Sequence, residues 1–212
     1  MNVRFIEMVC TGNQGRSPVA ELIAQNYLRH LRTDDYASRS SGTLVDTIEK
    51  GELPKSFKLQ TIELAKRRGV YSPSDEASIQ DALKQGNDTM IDNYFNQAVA
   101  RFSDEEKAHR VVALKRFGIE GRVKEGRDQT IVRSDSIVAL SMAQSNNSQV
   151  QSIYTRAANK PTIMTIGEYV TGDPKSDVPN AFGLGQKEYE SAIEVLMEYV
   201  PKSLDKIVEK QG

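Results

Sequence analysis

The segment Cys10-Thr11-Gly12-Asn13-Gln14-Gly15-Arg16-Ser17 contains the chain's single cysteine, with five residues between it and an arginine. This spacing suits chemistry on a tetrahedral oxyanion. In a short loop that leaves a strand and enters a helix, several backbone N–H groups converge on one point, and the helix N-terminus adds partial positive charge there. Thr11, Gly12, Asn13, Gln14, Gly15, Arg16 and Ser17 are therefore the expected phosphate cradle. Arg16 supplies a planar, permanently charged fork that can hold two equatorial oxygens, which lysine does less well. The same positive surroundings favour a thiolate at Cys10, the form that attacks phosphorus. Ser17 can donate its hydroxyl to that sulfur when it becomes the leaving group. Asn13 can tie the loop to itself, in a turn that Gly12 and Gly15 ease.

A lone cysteine at a strand end is more commonly an inert small hydrophobe. Three neighbouring features favour the chemical reading: a strand before the loop, two glycines inside it, and Ser17-Pro18 after it as a helix start. Val3 to Val9 is apolar or β-branched at most positions and reads as a buried strand. Val19, Leu22, Ile23 and Tyr27 then form a stripe at helical spacing. Further strands are expected at Tyr36–Thr43, Ser136–Leu140 and Thr162–Ile166, and helices at Phe57–Arg68, near Ser148–Tyr154 and over a final stretch carrying Tyr189, Ile193, Leu196, Met197 and Val200. Pro201 is expected to break or kink that last helix. Alternating strands and helices imply an α/β fold: a three-layer sandwich around a central parallel sheet of about four strands.

Residues 73 to about 130 interrupt the alternation. They show two helical patterns and no strand: one placing Met90, Ile91, Tyr94, Phe95, Ala98 and Val99 on a common face, the next opening with Ser103 and Glu106 as a capping box and running toward Lys115. The expected organisation is an α/β domain from 1–72 and 131–212 with a helical insertion at 73–130. Arg122 to Asp128 reads as a solvated charged loop.

Lys plus Arg total 28 against 29 Asp plus Glu, a net charge of -1, so neither nucleic acid nor an anionic membrane is an expected partner. No window approaches the roughly 20 apolar residues of a membrane span, and the first residues lack a signal-peptide profile, so the expected location is cytoplasmic. One cysteine excludes an internal disulfide framework, and His30 and His109, far apart in the sequence, give a metal site little support. Arginine and backbone amides already neutralise an oxyanion, so neither a metal nor another cofactor is expected.

Val9-Cys10-Thr11-Gly12-Asn13 and Arg16-Ser17-Pro18-Val19-Ala20-Glu21 resemble the N-terminal signature of the low-molecular-weight protein tyrosine phosphatases. The likeness extends through Ser40-Ser41-Gly42-Thr43, the helix at 57–70, the strand at 135–140 and the stretch from Ile163 to about Val200, but not through 73 to about 130. The resemblance implies that Cys10 forms a phosphocysteine, that Arg16 clamps the transition state, and that Asn13, Ser17 and Ser41 support the loop and thiolate. It implies a phosphorylated protein or small phosphomonoester as partner, with inorganic phosphate as product.

The chain departs from the family pattern at two places. The family's general acid is an aspartate, normally followed by proline. Asp173-Pro174 is the only late Asp-Pro pair, yet aligning on Gly183 and Tyr189 sets Asn180 at the acid's place, and an amide cannot donate and recover a proton in that role. Three readings stay open: Asp173 as the acid on a lengthened loop, Asp177 swinging in, or no acid and slow turnover. The other departure is Gln14-Gly15, where the family commonly carries an apolar residue and a second cysteine. Phosphotyrosine preference therefore does not simply transfer, and phosphoarginine or a small phosphoester remains open. The expected activity is phosphomonoester hydrolysis through Cys10. The alternative is a module that binds phosphate or a phosphoprotein with little turnover.

Overall fold

The computed structural model describes residues 3–211. Strand β1 (Arg4–Cys10) leads into helix α1 (Arg16–His30), strand β2 (Tyr36–Gly42), the short helix α2 (Val45–Glu49) and helix α3 (Lys55–Arg67). Two helices follow, α4 (Pro73–Gln85) and α5 (Asp88–Arg116), before β3 (Ser136–Ser141), α6 (Gln144–Ile153), β4 (Thr162–Thr165), α7 (Ile166–Thr171) and α8 (Gln186–Gln211). All strand pairings are parallel, in the order β2-β1-β3-β4. This is the α/β sandwich that the alternating pattern implies. Among the described residues no helix is long and apolar enough to cross a membrane.

β1 is central, and its side chains show why the sheet is covered on both faces. Ile6, Met8 and Cys10 join the larger core with Val19, Ile23, Ile193 and Leu196 of α1 and α8. Val9 points the other way, into a cluster with Ala139, Val150 and Tyr154 beneath α6. Glu7 lies on that second face, fully buried, where its carboxylate accepts hydrogen bonds from Ser41 (2.7 Å) and Ser136 (3.2 Å). A separate apolar cluster joins α3, α4 and α5 through Ile62, Ala65, Ile79, Phe95 and Phe102.

Several boundaries differ from the sequence expectation for identifiable reasons. α1 begins at Arg16, with Gly15 as its N-cap, so Ser17 sits inside the first turn and its hydroxyl is available to the loop. The two patterns expected between Met90 and Lys115 are one continuous helix of 29 residues. Nothing between Val99 and Glu106 is a glycine or proline that would stop it, and Ser103 and Glu106 turn inward as buried residues rather than capping anything. The true helical punctuation comes earlier. Ser72 and Asp75 form a capping box for α4, Gly86 closes it in the left-handed conformation, and the Asn87 side chain caps α5. α8 continues through Pro201 to Gln211, carried by the buried Leu204 and Ile207 beyond the proline. Met197, expected on its buried face, is exposed.

Candidate active site

The loop from Cys10 to Arg16 lies at the carboxyl end of β1, where ligands gather in open parallel sheets. Cys10, Thr11, Gly12, Gln14, Gly15 and Arg16 line one pocket. Asn13 and Ser17 lie beneath it, 1% and 0% exposed, as the loop's foundation. The Ser17 hydroxyl is 3.0 Å from Cys10 Sγ, 3.0 Å from Asn13 Oδ1 and 3.2 Å from the Ser41 carbonyl oxygen. A hydroxyl carries one proton, so these acceptors compete for it. Asn13 adopts a φ of 46°, a left-handed conformation that asparagine tolerates, and its Nδ2 donates to the Ser40 carbonyl oxygen at 3.4 Å.

β2 closes against this loop at Gly42. A Cβ there would lie 2.6 Å from the Asn13 backbone nitrogen and 2.7 Å from the Thr11 carbonyl oxygen, so the approach requires glycine. Ser41 supports the loop through its backbone carbonyl, which accepts from Ser17; its own hydroxyl points away, to Glu7 at 2.7 Å and Thr130 at 2.9 Å. Thr11 accepts a hydrogen bond from Asn146 Nδ2 of α6 at 3.0 Å. Arg16 donates from Nη1 to the Val178 carbonyl oxygen at 2.9 Å, which ties its guanidinium to the segment ahead of α8.

That segment places Asn180 and Phe182 in the pocket wall. Asp173 and Asp177 do not line the pocket. Asp177 accepts from the Gln144 backbone nitrogen at 3.0 Å, at the start of α6, and Asp173 accepts from the Lys175 backbone nitrogen at 2.9 Å in an exposed turn.

The part that local sequence reasoning missed comes from α5 and the loop after it. Arg110 donates to the Gln14 carbonyl oxygen at 3.0 Å, and Arg127 to the Gln14 side-chain oxygen. Arg127 therefore belongs to the pocket wall and not to a solvated loop. Phe95 and Val99 of α5, with Ile48, Leu53 and Phe57, make the rest of the wall apolar. Neither Tyr71 nor Tyr94 lines the pocket: Tyr71 is buried and donates to the Tyr94 carbonyl oxygen at 2.6 Å. Glu106 also reaches the pocket, 7% exposed, and its Oε1 would lie 2.2 Å from a Cβ placed on Gly15. Gly15, which has no side chain, is what admits this carboxyl.

Burial pushes the Glu106 pKa up from 4.5 to about 7, although Arg110, Arg16 and Arg127 pull it down. Burial, with the Glu106 charge next, also raises the neighbouring Tyr189 phenol. A carboxyl whose pKa is raised on folding binds its proton more tightly in the folded chain. The stability linked to it is therefore complete below the unfolded value of 4.5 and is lost as pH rises through about 7. Glu106→Gln removes the titration, so between pH 4.5 and 8 the native chain should lose about 3 kcal/mol relative to the variant. Urea unfolding across that range measures it, and parallel stability curves for the two proteins would contradict the buried carboxyl.

Neither a family model nor a curated protein matches the sequence. Solved structures do. A low molecular weight protein tyrosine phosphatase from Bacillus subtilis is 18% identical with a TM-score of 0.59, covering 98% of this chain and 99% of its own. Another, from T. tengcongensis, is 22% identical with a TM-score of 0.54, covering 96% of this chain and 99% of its own. The YwlE arginine phosphatase from Geobacillus stearothermophilus is 18% identical at a TM-score of 0.54, covering 98% of this chain and 95% of its own. Sheet order, strand direction and end-to-end superposition thus give this chain the fold of the low-molecular-weight protein tyrosine phosphatases.

Proposed function

We propose that the protein hydrolyses phosphomonoesters through a phosphocysteine on Cys10. The observation that carries this reading is the Ser17 hydroxyl 3.0 Å from Cys10 Sγ, with that sulfur opening into a pocket shared with Arg16. A cysteine kept only as a core hydrophobe has no need of a hydroxyl beneath it and a guanidinium beside the same opening. In the first step the sulfur attacks phosphorus in line, the S–P bond forms and the bond to the leaving oxygen breaks. Loop amides of residues 11–16 and the Arg16 fork stabilise the equatorial oxygens as charge gathers on them. In the second step water attacks phosphorus, the S–P bond breaks, and Ser17 receives the returning thiolate. Backbone amides and arginine supply the positive charge, so the scheme uses no metal.

The walls bear on the substrate. Phe57, Phe95 and Phe182 stand around the opening, and Phe182 is braced edge-on by Phe102 with ring centroids 5.8 Å apart. A phosphomonoester with an apolar or aromatic leaving group, on a protein or a small molecule, fits this environment. The helices at 73–130 are read as an insertion that completes the wall. The second reading, a phosphate-binding module with weak turnover, draws on Asn180, which puts an amide in the wall at the place expected of an acid.

Hydrolysis of p-nitrophenyl phosphate by the native chain, with orthovanadate as inhibitor, separates the two. The phosphatase reading expects turnover at the usual enzymic scale of about 1 per second or more, abolished by vanadate. Vanadate binding without release of p-nitrophenol would establish the binding module instead.

A further inference from the structure

Building on the phosphatase reading above, we propose that Glu106, delivered to the pocket by α5, is the catalytic acid that protonates the leaving oxygen and then the base that activates water. A carboxyl in this role must lie in the pocket, must carry a proton near working pH, and must not be committed to another partner. Among the described residues that line the pocket, Glu106 is the one carboxylic acid. Its Oε1 is pressed against the phosphate loop itself, in the space that the missing Gly15 side chain leaves free.

The charged and titratable groups facing it come from each neighbouring element: Arg16 of α1, Arg110 of α5, Arg127 of the following loop, and Tyr189 of α8, which also feels Cys10 of β1. They act on it through space. Burial nevertheless prevails and keeps the proton on up to about pH 7. A buried, uncommitted carboxyl costs stability as pH rises, so packing alone gives no reason for it. The alternatives are engaged elsewhere: Asp177 at the start of α6 and Asp173 in its own turn, while Asn180 has no proton to give and recover.

The steps balance. As Cys10 sulfur bonds to phosphorus, the Glu106 proton passes to the departing oxygen, which leaves as a neutral alcohol or phenol and leaves Glu106 ionised. Water then gives a proton to Glu106 as its oxygen bonds to phosphorus, and the thiolate departs. Phosphate is released with Glu106 protonated again.

The leaving group supplies the test, because a good one needs less protonation than a poor one. We would measure kcat/KM for phenyl phosphate and p-nitrophenyl phosphate with the native chain, Glu106→Gln, Asp173→Asn and Asp177→Asn. The proposal expects Glu106→Gln to lower kcat/KM for phenyl phosphate by about 100-fold or more and for p-nitrophenyl phosphate by clearly less. In the native chain, which needs no refolded variant, kcat/KM for phenyl phosphate should fall as pH rises above about 7. An equal loss on both substrates, no loss, or the leaving-group signature in either aspartate variant would overturn the assignment while Cys10-dependent turnover still upheld the phosphatase reading. A native chain with no Cys10-dependent turnover would overturn that reading and this assignment with it.

Discussion

Replacing Cys10 with serine is expected to lower turnover of p-nitrophenyl phosphate by at least about 10⁴-fold, the scale of losing a covalent nucleophile. A serine hydroxyl is essentially un-ionised at neutral pH, and Ser17, which can satisfy a thiolate 3.0 Å away, cannot by itself ionise a serine. The substitution keeps the loop amides and Arg16 in place, so phosphate affinity should change only a few-fold. Thermal stability should also change little, because a small polar atom replaces the sulfur where a donor already waits. Loss of turnover together with loss of phosphate affinity would mean that the loop had collapsed and that the role of Cys10 had not been isolated. Retention of turnover would remove the sulfur from the reaction.

Arg16→Lys is expected to lower kcat/KM by about 10²–10³-fold, comparable to removing one oxyanion-hole donor from an acyl-transfer site. Lysine keeps the charge but not the fork, and it cannot both reach the Val178 carbonyl and hold two phosphate oxygens. Inhibition by vanadate, which adopts the trigonal-bipyramidal arrangement of the transition state, should weaken more than inhibition by tetrahedral phosphate. Equal weakening of both would assign Arg16 to general anion attraction and not to the transition state.

The part of the site legible in the sequence is the part that is contiguous. Cys10 through Ser17 occupies one loop between a strand and a helix, so residue type and local geometry together fix where each group points. The sheet was legible for a similar reason: β1 is apolar because both its faces are covered, and the alternation of elements forces parallel crossovers. Asn180 lies in the pocket wall.

Glu106, Arg110 and Arg127 were illegible because each lies about 90 residues or more beyond the loop it meets, and their placement depends on how α5 packs against α3 and α8. Locally, Ser103 and Glu106 satisfied the spacing of a capping box, and only the uninterrupted packing of Phe95, Ala98 and Phe102 into one core shows that the helix runs on. The signal that would have pointed to the pocket was Gly15. A glycine in this loop leaves a volume that another residue must fill, and Glu106 fills it. Ser41 illustrates the converse: its hydroxyl meets Glu7 and Thr130, while its backbone carbonyl is the group that accepts from Ser17 beneath Cys10. Side-chain direction in a parallel strand is set by register with β1, which the sequence of β2 alone does not encode.

The most direct measurement is acid quenching of the native chain within milliseconds of mixing with p-nitrophenyl phosphate, followed by peptide mass spectrometry at a pH that preserves thiophosphate esters. The account predicts a phosphoryl group on the peptide containing Cys10, formed and lost at rates that match turnover. Release of phosphate with that peptide unlabelled, or with the label on another residue, would contradict it.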